Sequence, residues 1–72
     1  MKTLSMKRRD FEKILRKNGF VLNRSKGSHD IYKKGERHIS IPHRTDINCM
    51  LMRRLIRENN LITGIPFFDD NN

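Results

Sequence analysis

The sequence predicts an α+β fold of order α-β-β-β-α, a three-stranded antiparallel sheet with two helices on one face. Three observations predict it. Apolar residues recur at helical spacing near both ends of the chain. Between them lie three short runs rich in β-branched and aromatic residues, separated by glycine-containing turns. And 72 residues leave room for one packed layer pair and no second domain. The reading is a single domain over 1–72, with a core of about 6–61 and a tail over 62–72.

The first helix is expected over 6–18, where Phe11, Ile14 and Leu15 fall at i, i+3 and i+4 with Lys and Arg between them. Ser5 is the expected N-cap, its hydroxyl accepting a free backbone N–H. Asn18-Gly19 is the stop, with Gly19 left-handed and Phe20 returning toward Leu15. The strands are expected over 20–24, 29–33 and 37–41, with Lys26-Gly27-Ser28 and Lys34-Gly35-Glu36 as the turns. Ile39 and Ile41 alternate with polar neighbours, and Pro42, which lacks an N–H, ends the third strand. A polar loop follows over 43–46. The second helix is expected from about 47 to 60, with Ile47, Leu51 and Leu55 on one face and Met52 and Ile56 beside them; Asp46 or Asn48 caps it. In the tail, Ile62, Ile65, Phe67 and Phe68 are expected to fold back on the core, the competing role being a partner-docking or self-association strand.

Charge narrows the function. There are 16 Lys and Arg against 8 Asp and Glu, a net +8, and two of the acids, Asp69 and Asp70, lie at the very end. A field of this sign attracts polyanions, nucleic acid above all. Cys49 is the single cysteine, so neither an internal disulfide nor a cysteine-based metal site can form. The stretch Met1 to Met6 leads into no apolar run, and no segment approaches the roughly 20 apolar residues of a membrane span. The expected location is the cytoplasm, with no membrane association. A domain of this size buries only roughly 60% of its unfolded surface, which excludes a deep pocket around a large cofactor. Chemistry must sit on a shallow surface.

His29, His38 and His43 are the candidates for acid–base work near neutral pH. His29 stands out because it follows Gly27-Ser28 at the start of the second strand, with Lys26 in the same turn. An imidazole among cations suits RNA cleavage: it takes the proton of a ribose 2′-hydroxyl or returns one to the leaving oxygen, while Lys and Arg offset charge growing on the phosphate. The competing reading is a surface turn histidine without a role. Arg24, Lys26, Lys33 and Arg44 are the cations on offer to hold phosphate, and His43, beside Arg44, is a candidate contact to phosphate or to the catalytic histidine. His38 alternates with Ile39 and faces away from the core. Zinc on His29, His38, His43 and Asp30 is rejected for want of a ligand spacing, and with no acidic cluster no metal or other cofactor is expected. Tyr32 shares a strand face with Asp30 and is read as packing.

Three segments together carry a family likeness. Leu15-Arg16-Lys17-Asn18-Gly19-Phe20 matches an L-x-x-x-G-F pattern, Gly27-Ser28-His29-Asp30-Ile31-Tyr32 a G-S-H-x-x-y core, and Ile41-Pro42-His43 a P-H segment. In this order and within this length, over roughly 6–61, the chain resembles the HicA (YcfA-like) mRNA interferase toxins. The resemblance implies a fold like the double-stranded RNA-binding domain, ribosome-independent RNase activity on mRNA, His29 as the catalytic residue, and a HicB-like antitoxin that covers the site; Gly27 and Ser28 are expected at the substrate from their place in the turn beside the imidazole. Two features depart from the family pattern: Met50-Leu51 stand where a Gly-Thr often opens the last helix, and the tail after Leu61 has no counterpart. A non-catalytic RNA-binding module of the double-stranded RNA-binding type is the main rival.

Overall fold

The structure is a computed structural model that describes residues 5–65. Its elements run β1 (Ser5–Lys7), α1 (Arg8–Lys17), β2 (Val21–Lys26), β3 (His29–Lys34), β4 (Arg37–Pro42), β5 (Asp46–Asn48) and α2 (Cys49–Asn59). The antiparallel sheet β2-β3-β4 and the two helices reproduce the expected α-β-β-β-α order, and a separate two-stranded ribbon, β1-β5, is added to it.

Alternation decides which sheet face is covered. Asp30 and Tyr32 on β3, and Ile39 and Ile41 on β4, are buried and paired in register, so one face of the sheet is packed. Phe11, Ile14 and Leu15 of α1 and Met52, Leu55 and Ile56 of α2 join them in a single core with Phe20, Ile47, Cys49 and Leu61. The opposite face carries Arg24, Lys26, His29, Lys33, His38 and Ser40, all exposed, with Ile31 half-buried.

The pairing of β2 with β3 slips by one residue between Leu22 and Arg24. Asn23 is the inserted residue. It changes what faces the helices: beyond it Ser25, rather than Arg24, stands opposite buried Asp30, and Arg24 and Lys26 turn to the open face.

Three expectations are corrected. Ser5 does not cap α1, because its backbone pairs with Asn48; the helix begins at Arg8 rather than 6, Lys7 occupies the N-cap without a side-chain acceptor, and the Arg8 N–H donates to the Thr45 carbonyl at 2.7 Å. Ile47 and Asp46 belong to β5 rather than to the second helix or its cap; of the two capping candidates Asn48 does the work, its Oδ1 accepting the Met50 N–H at 2.7 Å. Lys26 is the last residue of β2, paired with His29, so the turn is Gly27-Ser28 alone. The stop at Gly19 stands: Gly19 has φ 93°, its N–H bonds the Arg16 carbonyl, and the Phe20 N–H bonds the Leu15 carbonyl at 2.9 Å.

After α2 the chain turns back along α1. The Asn18 side chain holds it, donating to the Ile62 carbonyl at 3.0 Å and accepting the Ile62 N–H at 2.9 Å. Leu61 and Thr63 are buried and Ile62 is exposed. Phe67 and Phe68 lie outside the described residues.

Candidate functional site

The β2-β3 turn places His29 at the end of the open sheet face. Gly27 has φ 61°, a conformation that costs an L side chain roughly 1–2 kcal/mol, and it lets the two strands reverse over two residues. His29 is exposed, with Lys26 across from it on β2 and Pro42 across from it on β4. Its Nδ1 lies 3.3 Å from the Ser28 Oγ, which leaves Nε2 directed elsewhere. Arg24 follows Lys26 along the same face. Lys33 shares that face but stands four residues along β3, roughly 13 Å away at strand rise. Lys26 and Arg24 thus stand close to His29 on the open face, and Lys33 stands apart from them.

His43 is beside this turn in the backbone and on the other side of the sheet in its side chain. Its N–H donates to the Ser28 carbonyl at 2.7 Å, one step beyond the His29–Pro42 pair. Its Nδ1 lies 3.8 Å from the Asp30 Oδ1 on the helix-facing side. The structure thus brings His43 to Asp30, while His29 faces the open side.

Asp30 anchors a polar cluster that the sequence did not announce. Its carboxylate accepts the Ser25 hydroxyl at 2.6 Å and is paired with the Arg8 guanidinium, which also donates to the Tyr32 hydroxyl at 3.3 Å. Tyr32 in turn donates to the Glu12 carboxylate at 2.5 Å. The Ser25 hydroxyl, with the charges of Arg8 and His43 added, holds the Asp30 carboxyl below its ordinary 3.8 although burial opposes this. Burial, and then the hydrogen bond to Glu12, push Tyr32 up to about 12. Arg8 and Ser25 were missed as partners. Arg8 looks like any first-turn cation, and Ser25 points inward only because of the bulge at Asn23.

Beside this cluster opens a shallow cleft of about 450 Å³ lined by Lys7, Arg8, Arg9, His43, Arg44 and Thr45. Arg44 therefore sits here, beside the start of α1, and not on the open sheet face.

The model of the family described as the HicA toxin of bacterial toxin–antitoxin systems matches residues 8–61, three-quarters of the chain. The chain belongs to the HicA toxin family. No curated protein and no solved structure matches it. The span matched by the HicA model starts at Arg8 and ends at Leu61, so it takes in the whole Asp30 cluster, the Gly27-Ser28-His29 turn and the 43–45 loop. The β1 strand that completes the ribbon lies just outside it.

Proposed function

We propose that this HicA-family toxin is a ribosome-independent endoribonuclease acting on mRNA in the cytoplasm, with His29 as its catalytic residue and a HicB-like antitoxin as its inhibitor. The observation that carries the reading is an exposed imidazole at the head of a strand, flanked by Lys26 and Arg24, on a sheet face that neither helix of the described residues covers. RNA supplies its own nucleophile. His29 takes the proton from the ribose 2′-hydroxyl, the 2′-oxygen bonds to phosphorus, the P–O5′ bond breaks, and water protonates the departing 5′-oxygen. Lys26 and Arg24 offset the charge that grows on the phosphoryl oxygens. The Ser28 hydroxyl at Nδ1 fixes the ring, and Gly27 keeps the turn small enough for the backbone to approach the substrate. The reaction needs no metal and no organic cofactor.

The test is cleavage of a defined RNA in EDTA by the wild type and by His29→Ala, followed by fragment length on a gel. Removal of a general base should slow cleavage by roughly 10²- to 10⁴-fold. If both proteins bind the RNA and neither cuts it, the chain is an RNA-binding module. Equal cutting by both would move the chemistry away from His29, and loss of cutting in EDTA would overturn the metal-free reading.

A further inference from the structure

We propose that the cleft of Lys7, Arg9, His43 and Arg44 is a second phosphate-binding subsite, which holds the RNA backbone at a phosphate neighbouring the one at His29. The proposal rests on the reading of the chain as RNA-acting, and adds to it the path the strand takes around the end of the sheet. Cations reach the cleft from three separate segments: Lys7 from the end of β1, Arg9 from the first turn of α1, and Arg44 from the loop before β5. All three are exposed, and none forms an ion pair among the described residues.

No acidic side chain is among the described residues that line this space, although Asp46 is paired with Lys7 across the ribbon. Asp30 is buried and engaged by Arg8 and Ser25. Asp10, the acid in the first turn of α1, lines a different groove with Met6, Lys13 and Ile14. Lys7 at the N-cap supplies no side-chain acceptor, and the Arg8 N–H is taken up by the Thr45 carbonyl rather than by an acidic cap. The His43 Nδ1 lies on the Asp30 side at 3.8 Å, so the other ring nitrogen is the one farther from the carboxylate.

Position ties the cleft to the chemistry. The His43 N–H bonds the Ser28 carbonyl, so the cleft loop is joined directly to the turn that presents His29. Paired backbones at such a step lie roughly 5 Å apart. His29 and the cleft therefore flank one sheet end from its two sides, and a strand held at both passes over the Ser28–His43 step. An acidic protein segment would also be attracted to the cleft; the link to the His29 turn favours the RNA backbone.

The test uses His29→Ala protein, so that binding is read without cleavage, and a short labelled oligouridylate over a series of salt concentrations. Arg9→Ala and Arg44→Ala should each weaken binding roughly three- to tenfold. The double variant should flatten the dependence of log K on log salt by about 0.7 for each phosphate that is no longer neutralised. Arg44→Lys should keep the slope, and Arg57→Ala, on the exposed side of α2, should leave affinity within roughly twofold. With His29 intact, the double variant should raise KM and leave kcat unchanged. The proposal is overturned by an unchanged slope in the double variant, or by a loss no larger than that of Arg57→Ala. Because the binding series does not depend on cleavage, a wild type that binds without cutting would remove the enzymatic reading and leave the subsite measurable.

Discussion

Replacing Asp30 with asparagine isolates the charge in the buried cluster. The variant keeps the size of the side chain and one acceptor for the Ser25 hydroxyl, but leaves the Arg8 guanidinium without its counter-charge. Asp30 is 3% exposed, and the Arg8 side chain 22% exposed with its Nε buried and unpartnered. Breaking a fully buried pair from one side costs about 3–5 kcal/mol. The access of Arg8 to water reduces this to about 2–3 kcal/mol, since a partly solvated cation recovers hydration. At roughly 4–8 °C per kcal/mol for a domain of this size, Tm should fall by about 10–20 °C. Thermal unfolding followed by circular dichroism reads it directly. The pH dependence supplies a second check. The folded-state value of Asp30 lies below the ordinary 3.8, so its stabilisation is fully present above 3.8 and is lost as pH falls through the lower folded value. The gap between wild type and Asp30→Asn should hold from neutrality down to about pH 4 and close below it. A gap under about 0.5 kcal/mol at neutral pH, or one that persists unchanged in strong acid, would refute the assignment of Asp30 as a charged anchor.

Tyr32 is the only tyrosine, so phenolate absorbance reports it alone. Its ionisation should occur near pH 12 in the folded chain; the protonated phenol stabilises the fold fully below about pH 10, and that contribution disappears as pH rises toward 12. A midpoint near 10 with the fold intact would contradict the buried hydrogen bond to Glu12. For the start of α2, Asn48→Ala should cost about 1 kcal/mol while Asn48→Asp retains most of the stability. Equal melting of Asn48→Ala and of Met50→Ala, an exposed neighbour, would show that the cap contributes nothing.

The helices and the long strands were legible because one apolar face explains each of them. Phe11, Ile14 and Leu15 can share a face only on a helix, and Ile39 and Ile41 only on a strand. The ribbon was not legible. Ser5-Met6-Lys7 and Asp46-Ile47-Asn48 are three residues each, too short to show a period, and Ile47 fits a helical stripe equally well. Ser5 is a good cap by side chain and is removed from that role by a backbone pairing far away in sequence. His29 could be picked out by its glycine turn and by the likeness around it. The Asp30 cluster could not, because one extra residue at Asn23 decides whether Arg24 or Ser25 faces the carboxylate, and no local pattern signals an insertion in a strand exposed along its whole length.

The β1-β5 ribbon also sets an order of assembly. The β2-β3 and β3-β4 hairpins close over two-residue turns, whereas Lys7 meets Asp46 only by closing a loop of roughly 40 residues. Loop closure over that distance carries a larger entropic penalty than a hairpin and is repaid only once both ends have something to pack on. The meander with His29 can thus form early, while the Lys7, Arg9 and Arg44 cleft comes into being only when the two ends of the chain meet. A chain still missing that closure would hold its histidine without the Lys7, Arg9 and Arg44 surface beside it, so under the proposed reading an RNA strand would meet both only once folding is complete.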